Sequence, residues 1–400
     1  MKALFILTVS LVSGVVSAQT FAIQADYMVD GCSDSEFANP TVIVYKDRII
    51  DVNFNNDIPD SAKVIDLAGC TILPGLMDVH THSLLQNIWS LEQDIYGRSA
   101  TFRAIRAVAF LYISLNNGFT TIRDVGTVGA GYANIDLARA VEQGFIIGPR
   151  IYPSAQGIAV IGNFLPEYSQ QNSDFDLPAG AQYVSGKDEC IRAAREQIAR
   201  GATWIKVWAD WEVATFNPDE LSAIVHEAAK YGIRVAAHAK TPEGIEIAID
   251  AGVKSIEHGE GFTKELINKA IEHDVFLCPT ITVYEYLEIK ALDKLYKVLR
   301  YAYKEGMKIA LSTDVGCFPW DFNQSKELAY YVTKAGFKPM DAIKSGTSIP
   351  AELLGRENDL GQIKKGYIAD IIAVKGNPLE DITLLQKVDF VMKAGIIYKE

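Results

Sequence analysis

The chain has 400 residues, 49% of them hydrophobic and 22% charged, a composition that excludes disordered, collagen-like and coiled-coil proteins. Its net charge of -12 argues against nucleic acid as a partner, because an acidic surface repels the phosphate backbone. The five cysteines are odd in number and lack C-x-x-C spacing, which indicates neither a disulfide framework nor a thiolate zinc site.

The first predicted element is a signal peptide over residues 1–18. A single basic residue, Lys2, precedes the apolar run 3–16, and the small residues Ser17 and Ala18 stand directly before Gln19. The run is shorter than a membrane-spanning helix, which disfavours the alternative of a membrane anchor; a first core strand is the other alternative. We therefore expect export to the periplasm or the extracellular medium, and no membrane association once the peptide is removed.

Both ends of the mature chain have short strand patterns and few helical ones. We expect residues 19–71 and 361–400 to combine into one small β-sandwich domain. The predicted strands of this composite domain are Thr41–Tyr45, Ile49–Val52, Lys63–Leu67, Ile368–Val374 and Phe390–Tyr398.

Between these ends, residues 72–360 alternate short β-branched runs with helical patterns. This alternation is typical of parallel sheets, and eight strands are the count for an α/β fold of the (β/α)8 TIM-barrel type. Helix starts are predicted at Asn217, Thr241 and Thr263, and the irregular stretch 157–187 is expected at the barrel mouth. The eight predicted strands are Ile72–His82, Thr120–Val125, Arg150–Gln156, Trp204–Asp210, Arg234–Ala239, Ser255–Gly259, Phe276–Ile281 and Lys308–Asp314.

Four of the six histidines stand at the carboxyl ends of predicted strands, where barrel enzymes build their active sites. His80 and His82 are two residues apart on one strand, so both imidazoles point the same way. Together with His238, His258 and Asp314 at other strand ends, they form a set that suits zinc and related divalent ions. A lone H-x-H is often a packing feature, but the whole set makes a metal-dependent hydrolase the leading hypothesis. His226 and His273 are predicted surface or packing residues.

Lys206 lies inside the fourth predicted strand, where a buried ammonium group is costly unless it is paired or altered. From the residue alone, an ion-pair role and a catalytic role are equally plausible. Lys240 follows His238 by two residues and can face the same mouth; its alternative is a solvated lysine at a helix start.

Several motifs in this order resemble the amidohydrolase superfamily, and within it the imidazolonepropionase-like and Xaa-Pro dipeptidase-like branch. The motifs are Leu73–His82, Thr120–Gly126, Ile205–Val207, Ala237–Ala239, Ile256–Gly259, Ser312–Asp314, Gly361–Gly366 and Ala369–Asp370.

The resemblance implies a centre of two divalent metal ions, with zinc as the expected metal. His80 and His82 would hold the more buried ion, and His238 and His258 the second. Lys206, carboxylated by carbon dioxide, would bridge both ions, and Asp314 would ligate the first ion and carry protons.

The sequence departs from the branch in two places that face the predicted pocket. The segment 161–164 lacks a histidine common among relatives, and residues 208–212 replace small residues with bulky ones such as Trp208. We therefore expect a narrower, more aromatic pocket, with Trp208 and Lys240 as substrate contacts.

The predicted function is an exported amidohydrolase that cleaves the amide bond of a dipeptide or N-acyl amino acid. A metal-bridged hydroxide would attack, and Asp314 would act as general base and then general acid. Alternatives are a phosphotriester, lactone or cyclic-amide hydrolase at the same site, and a non-catalytic metal- or ligand-binding protein. A homo-oligomer is compatible with the sequence.

Overall fold

The structure, a computed structural model, describes residues 19–162, 180–211 and 215–400. The predicted signal peptide, Asn163, Phe164 and Glu212 lie outside these residues. The first strands are β1 (Thr20–Met28), β2 (Phe37–Ala38), β3 (Thr41–Tyr45), β4 (Arg48–Asn53), β5 (Lys63–Pro74), β6 (Leu76–Thr81), β7 (Phe119–Asp124), β8 (Arg150–Pro153) and β9 (Ile158–Val160). They are followed by β10 (Gln182–Val184), β11 (Trp204–Trp208), β12 (Arg234–Ala239), β13 (Ser255–His258), β14 (Phe276–Cys278), β15 (Ile371–Lys375), β16 (Phe390–Lys393) and β17 (Ile396–Lys399).

The α-helices connect the strands and begin where the sequence places capping residues. Thr241 and Thr263 each accept a backbone N–H in the first turn of a helix, and Glu220 reaches back to the backbone of Asn217, which confirms all three predicted starts. The helices are α1 (Ala100–Asn116), α2 (Ala133–Glu142), α3 (Lys187–Arg200), α4 (Pro218–Ala229), α5 (Pro242–Ala251), α6 (Lys264–Glu272), α7 (Ile281–Tyr286), α8 (Leu292–Lys304), α9 (Lys326–Thr333), α10 (Pro339–Ser345) and α11 (Ser348–Leu354).

Strands from both chain ends share one sheet, in the order β17-β16-β15-β5-β1-β3-β4, with β2 paired to β1. The chain ends meet where β5 pairs antiparallel with β15. Apolar side chains from both ends, including Ile23, Ile65 and Phe390, form one buried cluster. The sandwich form of this domain and the boundaries 19–71, 361–400 and 72–360 stay predictions.

The predicted first strand, Ile72–His82, is divided into β5 and β6 at Gly75. A Cβ at Gly75 would lie 2.2 Å from Oγ1 of Thr120, so only glycine fits between the two sheets. The chain thereby passes from the terminal sheet into the first parallel strand that carries histidines.

The remaining strands form two parallel sheets, β6-β7-β8 and β10-β9-β11-β12-β13-β14, which confirms an α/β fold. Strands β9 and β10 fall in the stretch predicted to be irregular. Across the described residues the two sheets do not join into one closed ladder.

The ladder is interrupted at the predicted eighth strand, Lys308–Asp314, as it is between β8 and the six-stranded sheet. At this segment the β pairing is limited to isolated bridges, Leu277 with Ile309 and Thr81 with Val315. The N–H of Leu311 donates to Ser345 O at 2.7 Å, and Asp314 has a φ of +65°. Both features divert the backbone from an extended ladder, so the segment lies between β14 and β6 without forming a strand.

No helix of the described residues is long and apolar enough to cross a membrane.

Candidate metal and active site

The six residues predicted to form the metal site line a single cavity of about 210 Å³ at the carboxyl ends of the parallel strands. Each of the six residues is buried, and none exceeds 7% exposure. Aromatic residues line part of the wall, and aliphatic residues such as Leu85 and Val128 line another part. The six are His80, His82, Lys206, His238, His258 and Asp314, and the aromatic wall consists of Trp208, Trp211 and Tyr284.

Three of the four imidazoles are oriented through their Nδ1 atoms. His80 Nδ1 lies 2.6 Å from Glu257 Oε2, and His82 Nδ1 donates to Gly126 O at 2.9 Å. His258 Nδ1 lies 2.8 Å from Thr280 Oγ1. An imidazole that donates through Nδ1 presents an unprotonated Nε2, the form required of a metal ligand.

The imidazoles also lie close to one another, and burial keeps three of the four neutral, whereas the Asp314 carboxylate outweighs burial and raises the pKa of His82. The ring centroids of His238 and His258 are 4.5 Å apart, and those of His80 and His258 are 5.1 Å apart. Burial, reinforced by the Lys206 charge, lowers the pKa of His80 to about 4. Burial and nearby positive charge also lower the pKa values of His238 and His258. Neutral rings with free Nε2 lone pairs are ready to bind a cation.

Asp314 faces the two histidines of β6. Its Oδ1 lies 3.6 Å from His80 Nε2 and 3.3 Å from His82 Nε2. This oxygen and His238 Nε2 are buried and have no hydrogen-bond partner among the described residues. Polar atoms left unpaired in a protein interior point to a missing ligand.

The donor set fits one or more divalent metal ions. Ligand atoms of His80, His258 and Asp314 lie within 4.8 Å of one another, as do those of His82, Asp314 and Cys317. Imidazole nitrogen with carboxylate oxygen suits zinc and neighbouring transition metals.

Lys206 has no carboxylate within 4.0 Å in the described part of the chain, so the ion-pair alternative lacks a direct partner. Burial lowers the pKa of its ammonium group to about 8, although the more distant charges of Glu257 and Asp314 oppose the shift. The lysine points into the same cavity as the histidines.

Two residues to which no sequence pattern assigned a role orient the site histidine His80. They are Glu257, which contacts the ring, and Arg123, which contacts Glu257. Arg123 donates to Glu257 Oε1 at 2.8 Å and to Val79 O at 2.6 Å, and both side chains are fully buried. Arg123, together with the hydrogen bond to His80, holds the pKa of Glu257 well below its usual range despite burial. The carboxylate is therefore ionised and fixes the His80 ring.

Two site residues and one supporting residue have left-handed backbones that are uncommon outside glycine. The φ angles are +68° at His258, +65° at Asp314 and +53° at Thr280. Such conformations concentrate at functional sites, where the surrounding structure enforces them.

Lys240 also lines the cavity. Its Nζ lies 3.9 Å from Glu260 Oε1 and 5.5 Å from the centre of the Tyr284 ring. Asp210 accepts the backbone N–H of Lys240 at 2.9 Å, which fixes the start of α5 beside the cavity. The Lys240 side chain is 29% exposed, so both the substrate contact and the solvated lysine at a helix start stay predictions.

Trp208 is held against the cavity by a glycine. A Cβ at Gly157 would lie 2.3 Å from the Trp208 ring, and Gly157 has a φ of +79°. The two histidines left out of the predicted site, His226 and His273, are exposed on the surface, as expected.

Comparison with known proteins places this site in a family. Residues 71–397 match the amidohydrolase family, and the chain therefore belongs to it. The ochratoxinase of Aspergillus niger is 31% identical, with 96% of this chain and 87% of that protein aligned. Its crystal structure gives a TM-score of 0.85 at 28% identity and covers 96% of each chain.

Two further relatives support the predicted branch. The crystal structure of a Xaa-Pro dipeptidase with methionine bound in its active site gives a TM-score of 0.87 at 33% identity, covering 96% of this chain and all (100%) of that one. The imidazolonepropionase of Deinococcus deserti is 24% identical over 81% of this chain and 82% of that protein. These findings confirm the predicted superfamily and branch, and they show that the chain is a hydrolase that acts on carbon–nitrogen bonds of small molecules.

Proposed function

We propose that this protein hydrolyses the amide bond of a dipeptide or N-acyl amino acid that carries a free carboxylate. The observation that carries the proposal is the shared cavity of about 210 Å³, which the four histidines, Asp314 and Lys240 line together. The Xaa-Pro dipeptidase relative, which holds methionine in its active site, agrees with an amino acid as one product.

The metal centre in this proposal uses six residues. His80, His82 and Asp314 would hold one ion, His238 and His258 the other, and a carboxylated Lys206 would connect them. Divalent ions held there, with zinc as the proposed metal, would supply Lewis acidity that polarises a carbonyl and acidifies water. Carboxylation would convert the buried ammonium group of Lys206 into an anion, which removes the cost of an unpaired cation.

Asp314 carries the proton in this mechanism. Its unpaired Oδ1 accepts a proton from the attacking water and returns it to the leaving nitrogen, acting first as general base and then as general acid. The ionised form is available at neutral pH, because interactions with His80 and His82 outweigh burial and lower the pKa of Asp314.

Lys240 and the aromatic wall bind and orient the substrate. The ammonium group of Lys240 pairs with the substrate carboxylate and so positions the scissile carbonyl over the histidines. Trp208, Trp211 and Tyr284 contact the acyl group and exclude bulk water from the reacting bond.

Two finer features belong to the same proposal. The two parallel sheets and the segment 308–315 are taken as one (β/α)8 barrel. Residues 1–18 are taken as a signal peptide that directs the enzyme out of the cytoplasm. Intact-mass measurement of protein from its native host should give a chain that starts near Gln19; a soluble cytoplasmic chain that retains Met1 would contradict export.

Turnover by metal-loaded protein tests the reaction class. The panel contains dipeptides, N-acyl amino acids, cyclic amides, lactones and phosphotriesters, with Asp314→Asn protein as the blank. Selective turnover of dipeptides or N-acyl amino acids is expected. Turnover confined to lactones or phosphotriesters contradicts the proposed substrate class, and full metal loading without any turnover favours a binding protein.

A further inference from the structure

A second cavity lies along β8. Its volume is about 620 Å³, and it shares no lining residue with the metal-site cavity. Its lining includes all of β8, Thr203 just before β11, and residues of α2 and of the terminal strands β16 and β17. A volume of this size falls in the range of about 300–1,000 Å³ typical of small-molecule sites.

Lys393 supplies this cavity with a buried cation. The side chain is only 9% exposed, and its Nζ donates one hydrogen bond, to Gly148 O at 2.5 Å. The ring of Tyr398 lies beside it, with its centre 5.5 Å from Nζ. Within the described ranges no carboxylate lies within 4.0 Å of this ammonium group. A buried ammonium group is costly without an anionic partner, so the charge of Lys393 favours the binding of an anionic ligand.

The other cations of the cavity already have partners. Arg150 pairs with Asp370 at 2.9 Å, Arg356 pairs with Asp359 at 2.6 Å, and the exposed Arg139 lies 3.8 Å from Asp136. Lys393 is therefore the one deeply buried cation of this cavity without a carboxylate partner among the described residues. The site matches a ligand with a single negative charge. Burial and the charge of Arg150 lower the pKa of Lys393 to about 8, which leaves the ammonium form in place at neutral pH.

The walls around this cation are mostly apolar. Ile135, Val141, Ile151 and Ile396 supply aliphatic surface, and Tyr398 adds an aromatic face. Ile396 is 58% exposed although it borders the cavity, so part of this apolar surface stays open to solvent. Such a lining fits a ligand with an apolar body and a single charged end.

We propose that this cavity is a second binding site, for a small monocarboxylate with an apolar or aromatic body, whose carboxylate pairs with Lys393. The site is separate from the proposed reaction, because none of the residues that line it lines the metal-site cavity.

Calorimetric titration of the full-length mature protein with phenylacetate tests the proposal, with phenylacetamide as the uncharged match. Wild type should bind phenylacetate at a site that is unaffected by metal removal, and phenylacetamide at that site at least tenfold more weakly. Lys393→Met should weaken phenylacetate binding at least tenfold, whereas Lys393→Arg, which keeps the charge, should stay within a few-fold of wild type.

Two matched lysine variants separate this site from other locations. Lys187→Met removes a surface lysine, and Lys240→Met removes the lysine of the metal-site cavity; both should keep the phenylacetate binding that is unaffected by metal removal. Loss of binding in Lys240→Met with retention in Lys393→Met would place the ligand in the other cavity and overturn the proposal. Absence of binding to wild type, or equal affinity for phenylacetamide, would overturn it as well.

Discussion

His80 Nδ1 and Glu257 Oε2 lie 2.6 Å apart in the interior of the protein, on neighbouring parts of one buried network. Glu257 also accepts hydrogen bonds from Arg123 at 2.8 Å and from Ser255 Oγ at 2.5 Å. The carboxylate therefore determines which nitrogen of His80 is free for a metal ion. It also connects this histidine by hydrogen bonds to the buried residues Arg123 and Ser255.

Glu257→Gln should lower metal affinity by about 10- to 100-fold, the usual effect of removing a partner that orients a ligand. Competition with a chromogenic chelator measures this affinity. Glu327→Gln is the matched control, because Glu327 is equally buried but accepts the backbone N–H groups of Ile281 and Thr282 instead of a site histidine. Equal metal affinity in wild type and Glu257→Gln would contradict the role of this pair.

Lys206→Ala should retain only one metal ion per chain, because the proposed bridge between the two ions is removed. Metal analysis after dialysis gives the ratio, and added acetate should restore part of the second ion and part of the activity by occupying the vacant volume. A variant that keeps two ions and full turnover would show that Lys206 is not carboxylated into a bridge.

Lys240→Met should raise KM or lower kcat/KM for substrates with a free carboxylate. The change should correspond to a free energy of about 1 to 3 kcal/mol, the cost of a lost charged hydrogen bond. Amidated analogues should lose much less. Lys254→Met is the control. Lys254 pairs with Asp274 at 2.5 Å, and neither residue lines the metal-site cavity. Equal losses on both substrate types would assign Lys240 a general structural role.

Lys393 should make stability rise with pH. Its folded pKa of about 8 lies below the ordinary 10.5, so between these values the unfolded chain binds more protons than the folded one. Folding then becomes more favourable as pH rises, by up to about 3 kcal/mol.

Urea unfolding at pH 7.5 and pH 10.5 measures this effect. From pH 7.5 to pH 10.5, the free energy of unfolding of Lys393→Met should decrease relative to that of wild type. Only wild type has a buried ammonium group that loses its proton over this range. Lys187→Met, which changes an exposed lysine, should show no such trend. A pH-independent difference for Lys393→Met would show that this lysine has an ordinary pKa in the folded state.

Local sequence patterns are sufficient to predict much of the site. His80 and His82 share one face because side chains on a strand alternate, and Lys206 with Trp208 follows the same rule. Glu257 is an exception to that rule. It precedes His258 by one residue, so alternation predicts that its side chain points away from the site. The φ of +68° at His258 changes the direction of the backbone, and both side chains contact the metal-site network.

Long-range hydrogen bonding accounts for the part of the fold that the sequence did not predict. The pattern at Lys308–Asp314 has the apolar residues of a strand, and the segment does lie between β14 and β6. Its backbone bonds are divided among three neighbours, including Ser345 of α10, and no local pattern specifies such a distribution. The short strand β10 depends likewise on pairing with β9.

The most direct test of metal-dependent amide hydrolysis follows amine release from the best dipeptide or N-acyl amino acid of the panel. Protein stripped with a chelator should release no amine, and Zn²⁺ should restore the rate in wild type. Asp314→Asn should stay inactive at any zinc concentration, because it lacks the group that carries the proton. Amine release that survives both chelation and Asp314→Asn would contradict the account.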